Sequence, residues 1–445
     1  MCKKIWSCLL FLTLFSVPAL AQEERPLSLE QTLRYVYEEN PSILAARYNL
    51  KATEELYPQA MAGWKPRASA ETGIFTTDVK TGNFSQGDGA TTKSASVSIE
   101  QPLFRGFRTQ AEMEAAEHQI AAETERVRAT EQDVFLQSVE SYMNVIRDRL
   151  ILGLQQKNRL LLGKERESVV ARFDAGDLTQ TDVKQMEARY SRAIADEAIA
   201  ESQLQTSEAT FERITGVWPS NIFVMPVPPF VFPQTLDDLV KAAAMQNPDL
   251  IASRRAHEAA EEDITSAKSD FYPQISAYAS HVKELDPQPG IVDESETSTI
   301  GLRARISLYE GGSTLSRIRE AKSRASQRFV ETLAAEKSVK SDLVSSWRRL
   351  KASEAEIAAR ELEVAAAQFS SEGVREEARL GDRTVFDTLE AEQDVLDAES
   401  ALVQARRDRI VTAYRLAAAL GILNPKTLNL QSAPAVGPEY ARLAD

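Results

Sequence analysis

The sequence predicts a mainly α-helical protein with a small β part, in which two β-strands and a long antiparallel helical hairpin form a unit that occurs twice. Asn40-Pro41 recurs as Asn247-Pro248, 207 positions later, with matching residues around both copies. Each half contains two very long stretches without proline and almost without glycine, which is typical of helix. Each half also contains residues that alternate between apolar and polar, which is the period of a β-strand.

The duplication covers whole halves of the chain. Further along, the offset becomes 205, so that Gly176 matches Gly381 and Asp182 matches Asp387. Solenoid repeats have periods of about 20 to 50 residues. We therefore interpret residues 22–217 as a first structural repeat, 218–234 as a Pro-rich linker, 235–424 as a second repeat and 425–445 as a tail.

The first 21 residues have the features of a cleaved secretory signal. Lys3 and Lys4 precede an apolar stretch, and Ala19-Leu20-Ala21 supplies a small-x-small cleavage site. The only two cysteines, Cys2 and Cys8, lie inside this signal, so we expect no disulfide and no thiolate metal site. We do not expect lipid attachment at Cys8, because the apolar core follows that cysteine.

Charge and hydropathy narrow the class further. The formal net charge of −14 becomes −16 without the two lysines of the signal, which argues against nucleic acid as a partner. No later stretch approaches 18 consecutive apolar residues. We therefore expect no membrane-spanning helix in the mature chain.

The strands are predicted at residues 65–77, 93–104, 273–283 and 298–308. The last is the clearest, since Ile300 and Leu302 alternate with Arg303 and Arg305 over about 11 residues, the span of a tilted transmembrane strand. The arginine face must meet water while the other face meets an apolar environment. An exposed sheet on a soluble domain remains the alternative.

The long helices are predicted at residues 108–173, 179–214, 314–380 and 384–420. About 66 residues make roughly 100 Å of helix, and about 36 residues make roughly 54 Å. A shorter helix at 42–63 would add roughly 33 Å if it stacks on the end of the returning helix. Small residues are scattered widely around these helices. This pattern indicates contact on two flanks, as in the wall of a helical tube.

The chain resembles a known family, the TolC-like outer-membrane efflux proteins (outer membrane factors), over essentially its whole mature length. The resemblance rests on Gln101 to Gly106, Leu308 to Gly312 and the hairpin tip Leu380 to Ala391, in duplicated order. It implies a homotrimer with a 12-stranded transmembrane β-barrel in the outer membrane and a 12-helix α-barrel in the periplasm. The Pro-rich linker would then lie in the equatorial region of that tunnel.

The resemblance also implies functional positions. Asp387 and Glu390 match the acids that constrict the pore, although the family usually has aspartate at the second. Arg383 and Asp182 match a latch that holds the inner hairpin shut, while a tyrosine that often supports it is replaced by Ala378. Arg303 and Arg305 would face the barrel lumen. A solvated helix face is the alternative for the four tip residues.

Two compatible interpretations account for the residues of the hairpin tips. Glycine ends a helix well and threonine begins one well. The resemblance makes the same residues the docking site of a periplasmic adaptor (membrane fusion protein). These residues are Gly176, Asp177, Leu178, Thr179, Gly381, Asp382 and Thr384.

Catalysis has little support in the sequence. His118, His257 and His281 are far apart, there is no nucleotide-binding loop, and the carboxylates are spread along helices. We expect no cofactor and no metal. By resemblance the protein is a passive exit duct of a tripartite efflux pump or type I secretion system, served through an adaptor by an inner-membrane RND, MFS or ABC pump. The alternative is a non-membrane periplasmic coiled-coil adaptor or structural protein.

Overall fold

The computed structural model describes residues 28–77, 80–81, 84–85, 90–219, 224–288 and 292–430. The predicted signal at 1–21, part of the predicted linker and most of the predicted tail lie outside these ranges. Within them, no helix is both long and apolar enough to span a membrane.

The elements alternate between helical and extended segments, with the same order in both halves. The helices are α1 (Leu29–Glu39), α2 (Pro41–Glu54), α3 (Leu56–Met61), α4 (Arg108–Asp174), α5 (Gln180–Thr215), α6 (Leu236–Gln246), α7 (Pro248–Lys268), α8 (Ser313–Leu380) and α9 (Val385–Leu420). The strands are β1 (Arg67–Thr77), β2 (Lys80–Thr81), β3 (Phe84–Ser85), β4 (Ala90–Arg105), β5 (Gln274–Gln288) and β6 (Val292–Arg305). The predicted fold class of two strand pairs and two long helical hairpins is confirmed.

The four long strands form one antiparallel sheet in the order β1-β4-β5-β6, so the two halves of the chain meet between β4 and β5. A bulge interrupts that pairing between Pro102 and Phe104. The strands β1 and β6 are the sheet edges and carry unpaired backbone groups in the single chain.

The last strand is displaced from its predicted position. It begins at Val292 rather than 298 and ends at Arg305 rather than 308. Its partner β5 begins at Gln274, opposite Arg305, immediately after Pro273, so residues 306–308 have no strand to pair with. At the other end, Lys283 pairs with Glu294 and Glu296, and these charged side chains hid the strand from an apolar pattern.

Each returning helix is lengthened by a short helix stacked on its end, and an asparagine makes the joint. The Asn40 amide donates to the carbonyl of Ile214 at 2.9 Å, while its oxygen accepts from the N–H of Ser42 at 2.9 Å. The copy, Asn247, donates to Ala419 at 3.0 Å and accepts from Leu250 at 3.1 Å. One side chain therefore satisfies backbone groups at the end of one helix and the start of the next.

The stacking places four helical columns side by side. The long helix α4 packs against α5 and α9 in one half of its length and against α2 and α7 in the other. The helix α8 packs against α9 and then α7. The order across the wall is thus α5, α4, α9, α8, with α5 continued by α2 and α9 continued by α7.

The main core lies at the level of these joints. Leu33 of α1, Phe135 and Tyr142 of α4, and Phe211 of α5 are fully buried there, and Tyr414 of α9 joins them. The Pro-rich segment closes this core. Its Phe230 packs edge-on against Tyr414 at 5.1 Å, and the Tyr142 hydroxyl donates to the Val224 carbonyl.

A comparison of two glycines tests the joint. Gly421 and Gly381 both have left-handed φ, of 81° and 91°. A Cβ at Gly421 would lie 2.1 Å from the Gln246 carbonyl oxygen, whereas a Cβ at Gly381 would have no described atom within 4 Å. We expect Gly381→Ala to cost about 1 to 2 kcal/mol in backbone strain. Gly421→Ala should cost about 1 to 3 kcal/mol more, because backbone must move. Thermal unfolding followed by circular dichroism would measure this, and equal midpoint shifts would contradict it.

Candidate functional site

The two hairpin tips have the same local structure. Each long helix ends with a glycine of left-handed φ, Gly176 at 89° and Gly381 at 91°. The next N–H reaches back across the last turn, from Asp177 to Arg172 at 2.9 Å and from Asp382 to Glu377 at 3.0 Å. This is the Schellman arrangement that closes a helix on glycine.

The returning helices begin with capping boxes. The Thr179 N–H and hydroxyl both donate to Asp182 Oδ2 at 2.8 Å, and the Asp182 N–H donates to the Thr179 hydroxyl. Thr384 and Asp387 repeat these three bonds. The bonds from the Thr384 N–H and hydroxyl lower the pKa of Asp387, and Thr179 lowers that of Asp182 in the same way. Both aspartates are therefore ionised and oriented by their own helices.

The predicted latch partners have other contacts within one chain. Arg383 pairs with Glu377 at 2.9 Å, with both side chains about half exposed. The Asp182 carboxylate accepts hydrogen bonds from the N–H and the hydroxyl of Thr179. Within the described ranges the structure has no ion pair between Arg383 and Asp182, so the latch stays a prediction. Arg383 nevertheless contributes to the lowered pKa of Asp387, because the two charges lie near each other.

Glu390 is exposed one turn beyond Asp387, on the same face of α9. Two further exposed acids, Asp394 and Asp397, continue that face, seven and ten residues after Asp387. Their spacing is visible in the sequence, but the resemblance points only to Asp387 and Glu390. The predicted constriction residues are therefore the first two members of an acidic stripe along α9.

An apolar cluster joins the two tips. Met186 of α5 and Leu389 of α9 are buried in it together with Leu162 and Val169 of α4. Leu178 of the first tip and Phe386 of the second pack against it, and the Arg189 guanidinium lies 5.7 Å from the Phe386 ring centroid. The two tips therefore pack against one shared cluster.

A partly buried ion pair lies just above this cluster. Arg375 of α8 bonds Glu392 of α9 at 2.5 Å, and the Glu392 side chain is only 9% exposed. Burial raises the pKa of Glu392, although Arg375 opposes the shift. The pair fastens the second hairpin close to its tip.

The two faces of the sheet differ in the way the alternation predicted. Ile300 and Leu302 are 88% and 74% exposed, and the paired register puts Ala279 and Ile99 on the same face. The opposite face carries Ser and Thr pairs, such as Ser69 and Ser98 at 2.8 Å. Arg303 and Arg305 lie on this polar face.

The histidines form no shared site. His118 on α4 lies 3.1 Å from Glu258, His257 on α7 lies 3.6 Å from Glu261, and His281 on β5 contacts Ser298. Both helical histidines are partly exposed. Across the part of the chain that the structure describes, no three His, Cys, Asp or Glu side chains are grouped as metal ligands.

A family model, described as "Outer membrane efflux protein", matches residues 33–217 and again residues 239–422. The chain belongs to the outer membrane efflux protein family. The duplicated order of strands and hairpins seen here is thus shared with the family, whose members are outer-membrane export channels and not enzymes.

Curated relatives extend over most of the chain. The outer membrane efflux protein BepC of Brucella suis is 31% identical over 91% of this chain and 88% of its own length. The outer membrane protein TolC of Escherichia coli is 24% identical over 96% and 88%. The alkaline protease secretion protein AprF of Pseudomonas aeruginosa is 25% identical over 78% and 73%.

Solved structures of outer-membrane proteins have a similar fold. The CmeC outer membrane channel of Campylobacter jejuni superposes with a TM-score of 0.80 at 12% identity, covering 94% of this chain and 88% of that one. The outer membrane protein VceC of Vibrio cholerae gives 0.75 at 18% identity, covering 88% and 96%. At these identities the likeness concerns the fold. Together with the family match, it places this efflux-family protein in the outer membrane with its helical tunnel in the periplasm.

The capping boxes predict a pH dependence of stability. A carboxyl whose pKa is lowered by folding stabilises the folded state above its unfolded pKa, and this contribution is lost as pH falls through the lower folded value. We expect Asp387→Asn to unfold at a lower temperature than wild type at pH 7. The difference should shrink as pH falls below about 4, the ordinary pKa of an aspartate, and vanish only below the lowered pKa of folded Asp387.

Thermal unfolding measured at several pH values would test this. Asp382→Asn is the matched control, because it removes a carboxyl of the same tip whose side chain makes no capping bond among the described residues. A wild-type advantage over Asp387→Asn that is as large at a pH of about 2 as at pH 7 would show that charge is not the cause.

Proposed function

We propose that three copies of this protein assemble around an axis into one outer-membrane exit duct. The observation that carries the proposal is the sheet, which exposes an apolar face and leaves β1 and β6 as edges. Open edges and unpaired backbone groups are excluded from lipid. Joining β6 of one copy to β1 of the next closes a barrel of 12 strands, with the face of Ile300 and Leu302 toward lipid.

The helical wall supports the same assembly. Among the described residues, its flanking helices, α5 and α8, have no neighbouring helix column on one side. Large apolar side chains are exposed there, including Ile199 on α5 and Leu362 and Phe369 on α8, at 67%, 74% and 80%. Contact between α5 of one copy and α8 of the next would bury them. Three copies would then form a tunnel of 12 helices.

Aromatic side chains mark the expected edge of the membrane. They lie where the sheet meets the helices and are about half exposed or more. They are Trp64, Phe107, Phe271, Tyr272 and Tyr309. Aromatic rings at this level are typical of the interface of outer-membrane barrels. The sequence analysis did not find this belt because its members are separated by up to 245 positions and come together only through the strand order.

The duct conducts passively, and an inner-membrane pump supplies the energy through a periplasmic adaptor that docks at the hairpin tips. Relatives named for efflux and for protease secretion support a place in a tripartite efflux or type I secretion system. RND, MFS and ABC pumps are the candidate partners. Exposure of Gly176, Asp177, Gly381 and Asp382 leaves the tips accessible to such an adaptor.

The tips also form the gate in this proposal. Three copies would turn Asp387 and Glu390 into rings of carboxylates, which attract cations and narrow the pore. Arg383 of one chain would exchange Glu377 for Asp182 of a neighbour. An exposed pair contributes only about 0 to 1 kcal/mol, so three such pairs would make a latch that docking can release.

Single-channel conductance in planar bilayers tests the duct and the gate together. Wild type should give small, cation-selective currents, and Asp387→Ala combined with Glu390→Ala should give much larger ones because six carboxylates leave the narrowest part of the pore. Failure to insert, with monodisperse protein in the absence of detergent, would instead support a non-membrane adaptor or structural protein.

Thr384→Ala is the control for this experiment. It breaks the capping box of α9 while it keeps both acids. We expect it to leave cation selectivity in place. If its current rises as much as that of the double variant, the channel opens because the capping box at the start of α9 is lost, and not because the carboxylate charges are lost.

A further inference from the structure

The polar face of the sheet carries an arginine cluster at the end nearest the helices. Arg303 and Arg305 lie two residues apart on β6. Arg105 on β4 and Arg305 pair with the same residue of β5, Gln274, from opposite sides, and Arg67 lies near them on β1. All four border a concavity of about 290 Å³ beside the bulge of β4.

Carboxylates do not balance this cluster. Glu100 borders the concavity opposite Arg67, and Glu112 lies 3.7 Å from Arg105. Arg67, Arg303 and Arg305 have no ion pair in the ranges that the structure describes, whereas many arginines of the long helices are paired, such as Arg375. The concavity therefore has more guanidinium groups than carboxylates.

Arg303 is also held in place. Its guanidinium lies 4.7 Å from the centroid of the Tyr278 ring. That ring lies across Gly301, where a Cβ would be 3.0 Å from three of its atoms. The absence of a side chain at Gly301 lets Tyr278 lie flat against β6, and the ring then supports the guanidinium. A stacked guanidinium keeps its N–H groups available to a ligand.

We propose that this cluster is a binding zone for anionic groups of the exported molecules, namely carboxylate, phosphate or sulfate. The inference rests on the proposed trimeric duct, in which the polar face lines the lumen and three copies form a ring at the neck between sheet and tunnel. A guanidinium presents a fork of donors that matches such oxyanions. Arg67, Arg303 and Arg305 are exposed, so binding is weak enough for release, as conduction requires.

The zone gives the lumen two regions of opposite charge. The acidic stripe of α9 lies near the tips, and the arginine ring lies at the base of the sheet. A molecule with an anionic group would leave the tunnel toward increasing positive charge. The ring thus favours anionic or zwitterionic cargo at the exit of the duct.

Block of the current by pyrophosphate, added on the side of the sheet, tests the proposal. That side reaches the ring without passing the tips. We expect block of the wild-type channel, with a half-blocking concentration that rises about tenfold or more in Arg303→Gln with Arg305→Gln, which corresponds to a loss of about 1.4 kcal/mol. The block should weaken as salt rises from about 0.1 M to 1 M, since the Debye length falls from about 10 Å to about 3 Å.

Two further variants separate binding from net charge. Arg303→Lys with Arg305→Lys keeps the charge but loses the fork, and we expect weaker block with little change in ion selectivity. Arg324→Gln with Arg328→Gln removes two arginines of α8 that are paired with Glu320 and Glu331, and should leave the block unchanged.

The outcomes distinguish this proposal from the one on which it rests. Wild-type channels whose block is the same after Arg303→Gln with Arg305→Gln would overturn the binding zone and leave the duct intact. A similar loss of block in the α8 control would also overturn it, because the effect would then follow net charge alone. Wild-type protein that forms no channel would overturn the duct and the zone together.

Discussion

The duplicated asparagine at each helical joint is the interaction on which the rest of the structure depends. Asn40 and Asn247 each donate to the last carbonyls of a returning helix and cap the first turn of the next. A helix end buried without partners would be costly. Because one amide serves both ends, two shorter helices can stand in line beside a single helix of 67 or 68 residues. The sheet is thereby held at the far end from the tips.

The same stacking explains why the exposed surfaces are where they are. Four columns side by side bury only the contacts between neighbours, so the outer columns and both faces of the sheet stay exposed in one chain. The apolar flanks of α5 and α8 and the apolar sheet face are too extensive for an isolated soluble chain. In the proposed trimer these surfaces would be covered by neighbouring copies and by lipid.

The two ends of the helical columns carry opposite charges, with acids at the tips and arginines at the base of the sheet. At the tips, Asp182 and Asp387 serve as helix caps and as fixed negative charges, so the turn chemistry and the proposed gate use the same side chains. At the base of the sheet, arginines on the polar face outnumber the acids beside them. The two regions are separated by the length of the helices, far beyond the Debye length at physiological salt, and therefore act independently on a passing molecule.

By itself the sequence determined the duplicated unit, the long helices and the structure of the tips, because these depend on local interactions. A capping box joins residues three apart, as in Thr384 and Asp387, and a strand alternates with a period of two. The tertiary structure decided what depends on distant partners. It brought Trp64 and Tyr309 to one level. It also ended β6 at Arg305, where its partner begins, and gathered the arginines around one concavity. Such contacts are set by which helices and strands become neighbours, and no local pattern encodes them.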